Sequence, residues 1–180
     1  LAAAAAPVKI GTVRKLAAEA PFAPDAGDAE LLSRVVDYYH DTLQQAPEGR
    51  DYLKARGLDH PELAETFKLG YANRTLAYRL PQKDRADGEA IRGRLQQLGV
   101  LRESGHEHLN GSLVVPLFDE AGHVVQLYGR KVRDDLRAGT AYHLYLPGEH
   151  RGIFNREGLR GAREVILCEA LIDAMTFWCA

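Results

Sequence analysis

The chain has 180 residues, room for one medium domain or one and a half small ones. Apolar residues make up 46% and charged residues 27%, which excludes collagen-like, mucin-like and wholly disordered chains. With 23 Lys and Arg against 25 Asp and Glu the net charge is −2, so contact with nucleic acid would need a local basic cluster.

Residues 1–28 are rich in Ala and Pro and read as a linker, with one weak helix over 13–20. The apolar run 1–6 has no basic residues before it and does not read as a signal peptide. Leu1 in place of Met is expected of a piece of a longer chain. From residue 29, Leu31, Leu32, Val35, Val36, Tyr39 and Leu43 recur at helical spacing, with Asp28 as the expected N-cap. A second helix has Pro47 in its first turn, Tyr52 and Leu53 facing inward and Gly57 as its stop. Short helices are expected over 61–67 and 76–80, and a longer one over 86–98 closed by Gly99.

From Leu113 the period changes to that of strands. Strands over 113–118 and 123–131, joined by the turn Asp119-Glu120-Ala121-Gly122, make a hairpin. A charged loop follows over 133–140, then a strand over 142–146 and a single helical turn over 156–159. The apolar run 164–168 reads as a buried strand and 170–178 as a helix left unfinished at the chain end. Cys168 is expected inside that strand as a buried, inert thiol. With Cys179 it forms neither a disulfide framework nor a CxxC zinc pair, which suits a reducing, cytoplasmic setting. No stretch approaches a membrane span.

Two groups of residues could carry chemistry. Glu169 stands where the expected strand ends and the helix starts, and Asp173 follows four residues later. Such a carboxylate pair can hold Mg²⁺ together with phosphates and waters. The same spacing also suits two acids that merely favour a helix N-terminus. The second group is basic: Arg130, Lys131, Arg133 and Arg137 at the end of the hairpin, with Arg92 and Arg94 on the preceding helix. These can grip phosphates or can be an ordinary solvated strand end. Lys54 and Arg56 suit the last turn of a helix. His106 and His108 have no third ligand near them in sequence, so zinc is not expected there. Tyr38, Tyr39, Tyr142, Tyr145 and Trp178 read as core or half-buried aromatics, and His143 as either packing or function.

Several segments, in order, resemble the RNA-polymerase core of bacterial DnaG-type DNA primases and the related plasmid and phage primases. They are Tyr38-Tyr39, Tyr52-Leu53-Lys54-Ala55-Arg56-Gly57-Leu58, Phe67-Lys68-Leu69-Gly70-Tyr71-Ala72 and Leu98-Gly99-Val100-Leu101. Asn110-Gly111-Ser112-Leu113-Val114-Val115-Pro116-Leu117 follows, with Asp119, Gly122, Gly129 and Arg130. Residues 165–174 resemble the first Toprim motif. The resemblance implies an α+β fold, a mixed α/β N-terminal subdomain with a β-hairpin region over 29–163 and the first βα unit of a Toprim fold over 164–180. Glu169 would then be the Toprim glutamate, catalytic and metal-binding, with Asp173 as its acidic neighbour. Arg130, Lys131, Arg56 and Arg133 would face nucleic acid and nucleotides. The implied reaction is RNA primer synthesis on single-stranded DNA from NTPs with Mg²⁺ or Mn²⁺, beside a replicative helicase.

The chain departs from that pattern at Ala170, where the family has Gly, and at Ser112, where it often has Arg. Tyr142-His143-Leu144-Tyr145-Leu146-Pro147-Gly148 replaces a Lys-containing family segment, a form closer to plasmid or mobile-element primases. The Toprim Asp-x-Asp motif is expected well downstream of Glu169, and a zinc-binding domain upstream of residue 1. The 180 residues alone are therefore expected to make no primers. Two other readings remain open at this point. One is a non-catalytic module that binds single-stranded DNA or docks a helicase; the other is a topoisomerase-like or nuclease-like Toprim enzyme.

Overall fold

The computed structural model describes residue 22 and residues 26–180. The expected linker over 1–28 and its helix lie almost wholly outside them. Helix α1 (Asp28–Gln45) forms because its apolar stripe, Leu31 to Leu43, is buried along one side. Its cap is Gly27 rather than Asp28: Gly27 is extended, and its carbonyl accepts the Leu31 N–H at 2.8 Å. Asp28 instead joins Glu30 in the first turn, where acidic groups suit the helix dipole. Ala46 is extended, as a residue before proline tends to be, and Pro47 opens α2 (Pro47–Ala55). A left-handed Gly57 turns the chain away from α2.

A one-turn helix, α3 (Leu63–Thr66), precedes β1 (Gly70–Ala72). The helix expected over 76–80 is only a 3₁₀ turn, Leu76–Tyr78, because Pro81 disfavours a helical Leu80. Helix α4 (Ala86–Gln97) ends before Gly99, which is left-handed. The hairpin of β2 (Ser112–Phe118) and β3 (Val124–Lys131) follows, then β4 (His143–Tyr145). The four strands form one antiparallel sheet in chain order. The hairpin turn is held by Asp119, whose Oδ1 accepts the N–H groups of Ala121 at 2.9 Å and His123 at 2.8 Å.

The sheet is covered on both faces. Ala72, Val114 and Leu127 pack with Leu31, Val35, Ile91 and Leu95 from α1 and α4. Tyr71, Leu113, Val115 and Tyr128 point the other way, into a layer with Leu53, Leu63, Phe67, Ile172 and Met175. Helix α5 (Leu171–Cys179) belongs to this second layer, with Trp178 edge-on to Phe67 at 5.2 Å between ring centres. No helix among the described residues is long and apolar enough to cross a membrane.

The buried strand expected over 164–168 is not formed. The segment is irregular and exposed, with Leu167 97% accessible. An apolar run becomes a strand only when another strand satisfies its backbone, and the four-stranded sheet ends at β4 without it. Cys168 is accordingly part-exposed rather than buried.

Two features of the core yield measurable expectations. A Cβ on Gly70 would lie 2.6 Å from the Tyr39 Cβ and 2.8 Å from its carbonyl carbon. Gly70→Ala is therefore expected to destabilise the fold by about 2 kcal/mol, read as a lower midpoint in urea unfolding. An unchanged midpoint would refute the close packing of α1 on β1. Glu107 is 3% exposed, and its Oε1 accepts the Leu76 N–H at 2.9 Å. Burial raises its carboxyl pKa above the ordinary value, against the lowering effect of the hydrogen bond from Leu76. A carboxyl raised in the folded state binds its proton more tightly there than in the unfolded chain. Its contribution to stability is therefore full at low pH and lost as pH rises through the raised value. Between pH 7 and pH 5 the stability of the wild type should rise relative to Glu107→Gln. A difference that stays flat over that range would contradict this ionisation.

Candidate nucleic-acid interface

The pleat of β3 decides which basic residues share a face. Arg130 stands beside Leu113 on β2 and His143 on β4, and Leu113 in turn stands beside Tyr71 on β1. Tyr71, Leu113, Arg130 and His143 thus form one row across the sheet, on the side of α2 and α5. The Arg130 guanidinium lies 5.0 Å from the centre of the Tyr142 ring. Its Nη1 is buried with no hydrogen-bond partner among the described residues. His143 Nδ1 lies 2.5 Å from the Tyr128 hydroxyl. Burial pushes the Tyr128 phenol up to about 12, against the lowering field of Arg130 and with further raising from Tyr145, Tyr52 and Asp173. Burial, then Arg130, lowers the His143 pKa. The carboxylate of Asp173 therefore comes within electrostatic reach of Tyr128, two residues before Arg130 on β3.

Lys131, one residue on, points to the opposite face. It sits opposite Ser112, is largely buried, and donates to the Asn110 carbonyl oxygen. Burial lowers its pKa, as do the nearby Arg102 and Arg74. Arg56 caps α2, and its guanidinium lies 5.4 Å from the centre of the Tyr52 ring. Arg133 is exposed, and its Nε donates to Asp135 Oδ1 at 2.8 Å. Glu169 and Asp173 are both exposed, Glu169 just before α5 and Asp173 in its first turn.

The other basic residues of the cluster serve the fold. Arg92 donates to the carbonyl oxygens of Ala77 and Pro81 at 3.0 and 3.2 Å, and Arg94 to Asp28 at 2.6 Å. Arg137 is exposed. His108 Nε2 lies 3.0 Å from the Tyr145 carbonyl oxygen and ties β4 to the chain before β2. Among the described residues, no three His, Cys, Asp or Glu side chains cluster as a metal site would require. Glu169 and Asp173 offer two accessible carboxylates, a donor set that suits Mg²⁺ or Mn²⁺ once phosphate and water oxygens complete the shell.

The structure also brings Arg133 together with three arginines that the sequence pattern did not single out. A groove of about 1100 Å³ runs along α1 and the edge of the sheet. Arg34, Arg74, Arg79 and Arg133 line it, with Tyr38 and Tyr71 and the acids Asp37, Asp41 and Glu48. Arg34 also pairs with Glu30 at 2.6 Å. Tyr71 belongs both to this groove and to the row that holds Arg130. Two strand spacings, about 10 Å, separate them. Burial raises the Tyr71 pKa first and the Glu48 carboxylate adds to it, while Arg133 and Arg74 act against them.

Comparison with known proteins gives this arrangement a family. Residues 38–157 match the family model of the DNA primase catalytic core, N-terminal domain. The DNA primase of Aquifex aeolicus (strain VF5) is 31% identical over 104 residues, which is 58% of this chain and 21% of that protein. The solved DnaG catalytic core superposes with a TM-score of 0.57 at 24% identity, over 68% of this chain and 38% of that one. The DnaG primase catalytic domain bound to ssDNA superposes with a TM-score of 0.55 at 23% identity, over 68% and 39%. The chain thus spans about a fifth of its curated relative and under two fifths of these structures. Its sequence match and its sheet point the same way: the chain belongs to the family of the DNA primase catalytic core, N-terminal domain.

Proposed function

We propose that this chain is the template-holding part of a primase that makes short RNA primers on single-stranded DNA. The observation that carries this reading is the groove lined by Arg74, Arg79 and Arg133, with Arg130 two strands away in the row that starts at Tyr71. A net charge of −2 gives no general attraction for nucleic acid, so the gathering of Arg74, Arg79 and Arg133 around one groove is what favours it. Tyr142 adds an aromatic ring beside Arg130, the combination that single strands use for backbone and base contacts. A solved relative bound to ssDNA supports the same partner.

In this reading the half-buried Arg130 guanidinium meets a phosphate, oriented by the Tyr142 ring beside it. Arg133 lines the groove, Arg56 at the end of α2 offers a further cation, and Lys131 braces the Asn110 carbonyl rather than touching the strand. Glu169 and Asp173 would hold a divalent ion together with carboxylates from further parts of a catalytic core. That ion, Mg²⁺ or Mn²⁺, would stabilise the attacking and leaving oxygens of nucleotidyl transfer from an NTP. The linker, core and Toprim boundaries over 1–28, 29–163 and 164–180 belong to this reading. So do a zinc-binding domain upstream, a replicative helicase as partner, a cytoplasmic place of action and a plasmid or mobile-element role.

Binding of a labelled oligo-dT by the 180-residue chain, followed by fluorescence anisotropy across a salt series, tests the single-strand reading. The logarithm of the affinity should fall linearly with the logarithm of salt concentration, with a slope of about −0.7 per phosphate contacted. Arg79→Ala and Arg130→Ala should each weaken binding roughly five- to tenfold, about 1 to 1.4 kcal/mol, and each should flatten the salt slope. Salt-independent binding, or affinity indifferent to both variants, would refute that reading. Primer synthesis on single-stranded DNA tests the reaction. The full-length protein should make short RNA products, its Glu169→Gln variant about a thousandfold fewer, and the 180-residue chain none. Products from the 180-residue chain alone would overturn the division of labour proposed here.

A further inference from the structure

Arg74 is held in a backbone conformation that non-glycine residues rarely adopt, with φ at +72°. Such a residue persists only where its surroundings fix it, and here they do so from three sides. Above, Asn73 Oδ1 accepts the Thr75 N–H at 3.2 Å, and the Thr75 hydroxyl meets the Tyr38 hydroxyl on α1. To the side, Arg74 Nε donates to Asn110 Oδ1 at 2.6 Å. Below lies the buried Glu107, whose Oε1 accepts the Leu76 N–H at 2.9 Å and which the Arg74 backbone N–H also faces. Its second oxygen, Oε2, is buried with no hydrogen-bond partner among the described residues, although the Tyr39 phenol stands next to the carboxylate. A carboxylate in so apolar a place is costly, and an apolar side chain would fill the volume without that cost.

We infer that Glu107 is a positioning residue of the nucleic-acid groove: it fixes the 73–76 turn so that the Arg74 guanidinium, braced by Asn110, meets a phosphodiester of a bound single strand. The inference rests on the single-strand reading above and adds to it the device that sets the groove's geometry. Glu107 itself touches no ligand. It acts by accepting the Leu76 N–H while facing that of Arg74, which sets the register Arg74 needs, and Asn110 prevents the guanidinium from swinging back toward Lys131. The Arg74 side chain then needs little ordering when a phosphate arrives.

The test is a double-mutant cycle on oligo-dT affinity, measured by anisotropy on the 180-residue chain, with circular dichroism to establish folding. Arg74→Gly removes the guanidinium while suiting the positive φ, and should weaken binding about fivefold with no loss of melting temperature. Glu107→Ala should weaken binding by a similar factor in the wild-type background and by almost nothing in the Arg74→Gly background. Glu107→Gln keeps an acceptor for the Leu76 N–H and should restore most of the affinity. Glu107→Asp shortens the side chain by one methylene and offers the same comparison should the alanine variant not fold. Equal loss from Glu107→Ala, or from Glu107→Asp, in both Arg74 backgrounds would mean a purely structural role and would overturn the inference. Wild-type protein that binds no oligo-dT would sink the single-strand reading, and the inference with it. Wild-type binding with additive variants would sink the inference alone.

Discussion

Both faces of the β2–β3 hairpin are covered by apolar layers. Polar groups gather at the end of the sheet, where Ser112 meets Lys131 and Leu113 meets Arg130. The alternation of the pleat then decides their fates. Arg130 emerges on the side that α5 covers, and Lys131 is sent to the side of α1, where its ammonium group braces a backbone carbonyl. Slipping the register by one residue would exchange the two and place a lysine under Tyr142. The turn at Asp119 guards against this, because its carboxylate ties two backbone N–H groups and Gly122 takes the left-handed position.

The same covering explains how α1 reaches the groove. Gly70 lets β1 lie against Tyr39 without a side chain between them. That contact brings the polar flank of α1, with Tyr38, over the turn that carries Arg74. The groove is therefore a by-product of tight helix-on-strand packing, and its cationic walls come from segments far apart in sequence. Arg34, Arg74 and Arg133 lie on a helix, a turn and a loop with no shared spacing.

Much of the architecture could be read from residues alone. The stripe from Leu31 to Leu43, Pro47 at a helix start, the hairpin about Asp119 and Gly122, and the α+β class all follow from periodicity and turn chemistry, which are local. The primase resemblance came from short ordered motifs, and the family match over residues 38–157 agrees with it. The expected strand over 164–168 failed because composition reports how apolar a segment is and not whether a partner strand lies beside it. Arg74 was illegible for a different reason. Its importance lies in a positive φ imposed by Glu107 and Asn110, and neither neighbour is near it in sequence. Arg92 and Arg94 looked like members of a basic patch until their carbonyl and carboxylate partners came into view.

The chain contains one tryptophan, and it sits at an informative seam. Trp178 on α5 stands edge-on to His60 at 5.0 Å and to Phe67 at 5.2 Å, so its indole straddles the junction between α5 and the segment from His60 to Phe67 that holds α3. α5 is also the helix that carries Asp173. Its emission is thus an intrinsic optical gauge of whether that helix is docked, readable without any label, and a protonated imidazole beside it would quench the signal. The protein carries its own reporter on the element whose placement sets the distance between its acidic and basic groups.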